Sequence, residues 1–248
     1  MPKKNNGTVI AVCVQEPTED GSKMDLGAIQ GDNLRFLHQA FITDTLLNAL
    51  QVPSADVRLY FVDDSERARL VKIVTDYVAR KVAAQKKNNL AERFSSVAMT
   101  QEGWGLRIEK VFKSCFDSGY KNVLVVGSRT PTFTAGMMNT ALRMLQQSDA
   151  VFGPTPEGRY YVIGMTGSYR INLAEFDWKS PSIYAEVAAA FTEKDLSWSE
   201  LEIWYAVESE EELDLMARDI NQFRFEADNT TARETELVME RLISKLDS

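Results

Sequence analysis

The chain holds a single histidine, His38, and two cysteines, Cys13 and Cys115, in 248 residues. One histidine inside an amphipathic pattern suits a core or surface position better than catalysis. This argues against a Ser-His-Asp hydrolase, which needs a histidine placed as base. No CxxC or HxxxH spacing occurs, so the usual zinc ligand sets are missing. Both cysteines sit in apolar stretches, as buried free thiols of a reducing compartment do. Basic residues are outnumbered: 28 Lys and Arg against 36 Asp and Glu give a net charge of −8. A general nucleic-acid binder needs a basic face, so that class is set aside. No apolar run reaches membrane-spanning length, and the N-terminal MPKKNNG has no apolar signal core. A cytoplasmic protein with no membrane partner is expected.

What is present fits a globular α/β chain. Hydrophobic residues make up 44% of it, enough for a sizeable core. Strand-like apolar runs occur at Thr8–Val14, Val57–Val62, Phe94–Met99, Asn122–Gly127, Ala150–Pro154, Arg159–Met165 and Leu201–Val207. Helical spacing lies between them: about Asn33–Leu50, a helix capped by Asp64 or Ser65, one ending near Gly119, one capped by Thr134, one opening at Ser180-Pro181, and a capping box at Ser209–Glu212 leading to about Phe223. Lys81–Asn89 reads as a solvated helix end. The alternation predicts a mainly parallel sheet between helix layers. Gln15–Gln30 reads as a long loop, of the kind that is usually functional or mobile. Thr230–Leu246 reads as a charged amphipathic helix that packs on the domain or on a second copy of the chain, giving a homodimer.

In open α/β sheets ligands sit beyond the carboxyl ends of the strands. That rule singles out Ser128-Arg129-Thr130-Pro131-Thr132, the polar turn after the buried run NVLVVG.

Six motifs then suggest a family. Gly153-Pro154-Thr155-Pro156-Glu157-Gly158-Arg159-Tyr160-Tyr161-Val162-Ile163-Gly164 follows G-P-x-x-D-G-G-Y-Y-L-I-G, and Gly127-Ser128-Arg129-Thr130-Pro131 follows G-S-D-x-P. Gln101, Gly103, Gly105 and Arg107 follow a shortened Q-x-G-x-x-L-G-x-R. Pro17, Gly21, Lys23, Asp25 and Leu26 lie where P-x-x-G-x-V-K-T-R-L belongs. Trp178 precedes Ser180 as in a W-S pair, and Val207-Glu208-Ser209 with Glu212-Leu213 matches D-V-D-T-P-E-D-L from its V onward. On these, the chain resembles the nucleotide-diphospho-sugar transferase superfamily of GT-A fold, within it a bacterial branch of glycosyltransferases of the arsenosugar-biosynthesis type. The resemblance implies a Rossmann-like three-layer αβα sandwich with a mostly parallel mixed sheet over residues 1–225, followed by a C-terminal helical extension, 226–248. It implies a nucleotide-sugar and an acceptor as partners, a first-strand loop around the nucleotide, and an acidic residue after the fourth strand holding Mg²⁺ or Mn²⁺ against the diphosphate.

The chain departs from the family at those positions. The aspartate of G-S-D-x-P is Arg129, which donates only and cannot ligate a cation. No metal is therefore expected. Instead, Arg129 and Arg159 bind phosphate as guanidinium forks, with Lys23, Arg107 and Ser128 completing the anion site. Glu157 and Glu208 are the candidate bases, and Pro17, Gly21, Gly103 and Trp178 line the substrate. Two alternatives stand beside this reading: a binding protein that has lost transfer activity, and a nucleotidyltransferase. The latter fits less well, since Gln15–Leu26 carries Glu16, Glu19, Asp20 and Asp25 against one lysine. Arg129 could equally pair with an acidic neighbour such as Glu157, and Trp178 could be a core residue.

Overall fold

A computed structural model describes residues 7–15, 24–84, 90–167 and 171–246. A seven-stranded sheet of order β3-β2-β1-β4-β6-β5-β7 forms its centre. The strands are β1 (Thr8–Cys13), β2 (Asp56–Val62), β3 (Phe94–Met99), β4 (Asn122–Gly127), β5 (Ala150–Pro154), β6 (Tyr160–Thr166) and β7 (Trp198–Glu200). β1, β2, β3 and β4 are parallel, β6 runs antiparallel to β4 and β5, and β7 is parallel to β5. Buried on both faces, β1 and β4 are continuous apolar runs. The expected mostly parallel mixed sheet between helices is what forms.

Local signals placed most helices. Asp64 accepts the Arg67 amide at 2.8 Å to open α2 (Ser65–Ala84), and the one-turn α3 (Leu90–Arg93) leads directly into β3. The Thr134 hydroxyl accepts from Met137 at the start of α5 (Ala135–Met144), and Ser209 and Glu212 form the capping box of α7 (Glu210–Phe225). α4 (Trp104–Asp117) ends with Gly119 at φ +85°, the Tyr120 amide returning to the Cys115 carbonyl and the Gly119 amide to Phe116. That bond pair is a Schellman stop, and the left-handed residue it needs is favoured as glycine.

Two elements differ from the sequence reading. Leu201–Val207 is not a strand. β7 ends at Glu200, and the following segment makes spaced bonds, Leu201 N–H to Phe152 O, Trp204 N–H to Pro154 O and Val207 N–H to Arg129 O. Pro154 has no N–H to donate, and β5 changes register there against β6, so the ladder cannot continue. The second difference is α6, which spans Ile183–Glu193 with Ser182, not Ser180, as its first flanking residue. The Ser180 hydroxyl is instead committed to Glu186 and to the Ser182 amide, holding a turn ahead of the helix.

The C-terminal helix α8 (Arg233–Leu246) docks on its own chain against α1 (Gly31–Leu50). Buried Asp44 of α1 accepts the Glu234 and Thr235 amides at 3.1 and 2.7 Å, capping α8 from another helix, while Tyr77 and Lys81 of α2 hold Glu234. Burial raises the Asp44 pKa from 3.8 to about 7 against the pull of those amide bonds. A carboxyl whose folded pKa is raised stabilises most below its unfolded value and loses that contribution as pH rises. Stability should therefore decline between pH about 4 and about 7, and Asp44→Asn should flatten that decline in urea melts at several pH values. Truncation to alanine should cost about 1–2 kcal/mol as a lost cap.

Candidate functional site

A cleft of ≈ 840 Å³ opens along the sheet edge where the parallel strands end. Gln15 follows β1, Asp64 follows β2, Gln101 follows β3 and Gly127 closes β4. Tyr160 begins β6, which is antiparallel and so presents its start at the same edge. This is the position the strand-end rule anticipates. One wall is aromatic, with Trp104, Tyr160, Phe176 and Trp178; charged groups at the cleft are Asp64, Glu66, Arg67, Glu102, Arg107, Arg159, Asp177, Lys179 and Glu208.

Of the residues singled out in the sequence, Gly103, Arg107, Arg159, Trp178 and Glu208 meet in this cleft. Pro17, Gly21 and Lys23 lie outside the described residues. Glu157 sits exposed on the turn between β5 and β6 and is not part of the lining. Ser128 and Arg129 are buried behind the cleft rather than in its wall.

The polar turn after β4 is a braced, buried structure. The Ser128 hydroxyl accepts the Gln15 amide at 3.1 Å and lies 3.4 Å from His38 Nε2. Asn48 of α1 donates to the Pro131 and Phe133 carbonyls, Thr132 bonds the Tyr205 hydroxyl, and the Val207 amide donates to the Arg129 carbonyl. His38 is thus a structural residue. Burial, with the nearby Arg129 charge adding to it, pushes its pKa down to about 3. A depressed histidine contributes stability that is present above its unfolded pKa of 6.5 and lost as pH falls towards 3. The His38 imidazole signals in an NMR titration should accordingly stay neutral between pH 8 and 5; a midpoint near 6.5 would contradict this placement.

Arg129 is fully buried, and its Nη1 donates to Glu208 Oε1 at 3.0 Å. The bonded acid is Glu208, 79 positions away, where the sequence had suggested Glu157. Glu208 Oε2 accepts from Arg159 Nη1 at 3.2 Å. The side chains of Glu208 and Arg159 are 26% and 40% exposed, so the cluster faces the cleft through them. Two guanidiniums therefore share the Glu208 carboxylate. With both oxygens already accepting charged bonds, Glu208 is better suited to orient the arginines than to remove a proton. Among the described residues the donor set of this cluster does not fit a divalent cation: one carboxylate faces two groups that can only donate.

The other end of the cleft is built on Trp178. Its Nε1 donates to the Leu173 carbonyl at 2.8 Å, and its ring lies against Gly105, where a Cβ would fall 2.4 Å from the indole. Arg107 is almost fully buried, with its guanidinium 4.9 Å from the Trp104 ring centre, a cation–π distance. Gly105→Ala should displace the Trp178 ring, costing about 1–3 kcal/mol as an overpacked contact and shifting tryptophan emission to the red. The sequence reading missed Arg67, Trp104 and Asp177. Trp104 lies inside the Gln101–Arg107 motif; Arg67 and Asp177 gave no signal beyond following a strand or preceding Trp178.

The family profile described as an uncharacterized protein conserved in bacteria (DUF2064) matches residues 45–180, more than half the chain. The chain belongs to the DUF2064 family. Among curated proteins no relative matches it. Among solved structures it is similar to a candidate nucleotide-diphospho-sugar transferase from Desulfovibrio desulfuricans G20, at 23% identity over 95% of this chain and 97% of that one, TM-score 0.71. It is also similar to a cytidylyltransferase from Leptospira borgpetersenii, at 8% identity over 96% and 95%, TM-score 0.54. The 4-diphosphocytidyl-2C-methyl-D-erythritol synthase of Anaerococcus prevotii matches at 14% identity over 88% and 97%, TM-score 0.52. At these identities the likeness establishes the fold, a Rossmann-like α/β fold shared by transferases of both kinds. No helix of the described residues is long and apolar enough to cross a membrane.

Proposed function

We propose that this DUF2064 protein binds a nucleotide-diphospho-sugar in the strand-end cleft without a divalent cation, as a glycosyltransferase-like transferase. The observation that carries the reading is the Arg129–Glu208–Arg159 cluster. The carboxylate that the resemblance assigns to a metal is replaced by Arg129, and the guanidiniums of Arg129 and Arg159 both face Glu208. Arginine forks stabilise charge on a diphosphate leaving group as a metal does, through charge-assisted bonds in a site of low dielectric. Arg159 is the exposed member that meets the diphosphate, Arg129 supports it from behind, and Arg107 adds positive charge along the wall. The aromatic wall of Trp104, Tyr160 and Trp178 suits the apolar face of a sugar ring.

Trp104 and Trp178 give the test a direct signal. Titration with UDP, GDP, CDP or dTDP in EDTA should quench their emission for at least one of the four. A flat response to all of them would sink the reading.

A second reading has its own support. Glu157 lies outside the cleft and Glu208 is committed to two arginines, so neither expected base is free at its centre. On this reading the protein binds a nucleotide-sugar but transfers nothing. Release of nucleoside diphosphate from the bound sugar nucleotide, with or without added acceptors, would exclude it. Nucleotidyl transfer, the chemistry named for the two more distant structural relatives, would instead release pyrophosphate from a nucleoside triphosphate.

A further inference from the structure

The Arg129–Glu208–Arg159 cluster has the form of an anion site with its anion already in place. Each oxygen of Glu208 is held by a different guanidinium, at 3.0 and 3.2 Å, as the two oxygens of one bound ligand would be. Glu208 and Arg159 line the cleft, whereas Arg129 is wholly buried and does not. A ligand entering the cleft thus meets Arg159 directly, and one standing where the Glu208 carboxylate now stands meets Arg129 as well. The backbone there is fixed on both sides: the Val207 amide donates to the Arg129 carbonyl at 2.9 Å and the Asp25 amide to the Glu208 carbonyl at 2.8 Å. Vacating the site therefore takes a rotation of the Glu208 side chain, with no movement of the strap that carries it.

We infer that Glu208 is the resident occupant of a two-arginine oxyanion site, and that an entering diphosphate displaces it to bind Arg129 and Arg159 together. This inference rests on the metal-free anion binding proposed above. A pair of phosphate oxygens replaces the pair of carboxylate oxygens, and the higher charge of a diphosphate favours the exchange over a monocarboxylate from the medium. Glu208 lowers the apparent affinity by the fraction of time it occupies the site, so the site excludes weaker anions and admits the diphosphate. Its function is selectivity, distinct from that of a base.

Pyrophosphate in EDTA is the probe, followed by calorimetry on the full chain. Glu208→Gln should bind it about tenfold or more tightly than the native protein, the factor expected where the competitor holds the site at least nine-tenths of the time. Arg159→Ala should weaken binding. Should the glutamine variant not fold, Glu208→Asp carries the same expectation, because its shorter arm cannot meet both guanidiniums. Native binding with equal or weaker binding by the Glu208 variant overturns the displacement and leaves the metal-free reading standing. No binding by either protein in EDTA overturns both.

Discussion

Replacing Arg129 with alanine should destabilise the protein by about 3 kcal/mol or more. The charge-assisted bond to Glu208 is worth about 1.5–3 kcal/mol, and truncating so long a buried side chain leaves a cavity whose cost adds to it. For a chain of this length each kcal/mol moves the melting temperature by about 2–4 °C, so the expected fall is on the order of 6–12 °C. Arg129→Lys should recover part of this, since it restores the charge but not the planar fork. The exposed pair Arg35–Asp32 provides the contrast: both side chains are more than two-thirds exposed, and Arg35→Ala should be close to silent. Thermal melts of the three variants check the series. A melting temperature for Arg129→Ala within a degree or two of the native value would mean that the arginine is not the support described.

Arg159→Ala should have the opposite profile, a small effect on stability and a large one on binding. Arg159 is partly exposed, so its loss leaves no buried cavity. In the proposed complex it makes a charge-assisted bond to the diphosphate, and losing about 1.5–3 kcal/mol there weakens binding on the order of 10–150-fold. Titrating native and variant proteins with the nucleotide-sugar that binds best gives the ratio directly. A native-like affinity for Arg159→Ala would remove the diphosphate from this end of the cleft.

How far the sequence could be read depended on how far apart the interacting residues are. Thr134, Gly119 and the Ser209–Glu212 box act within one helical turn, and each was legible because its physics is local. The strand runs of β1 and β4 were legible because double-sided burial leaves only apolar residues. Leu201–Val207 misled, because alternation describes which side chains are buried but not whether a partner strand is available. Its neighbour β5 ends in a proline, so the segment becomes a strap bonded at intervals. Ser180-Pro181 has the composition of a helix start, yet the hydroxyl was taken by Glu186.

The site was legible in outline and not in its pairings. The turn at Ser128–Thr132 marks the right edge of the sheet, but its polar side chains are turned inwards to brace α1 and the strap. Arg129 could be seen as a charge in an unexpected place, while its partner could not. The nearest acid in the motif is Glu157, and only the folded chain brings Glu208 across 79 positions to meet it. The proposal that Glu208 occupies an anion site rests on its contacts with Arg129 and Arg159.

The central claim is that the cleft takes a nucleotide-diphospho-sugar with arginines where the resemblance implies a metal. Thermal shift against UDP-, GDP-, CDP- and dTDP-sugars, each in EDTA and again with Mg²⁺ or Mn²⁺, tests this most directly. A ligand that binds only the native state raises the melting temperature by mass action. A rise is expected for at least one sugar nucleotide in EDTA, as large as that seen with metal. A rise that appears only with metal, or no rise with any of the four, would contradict it.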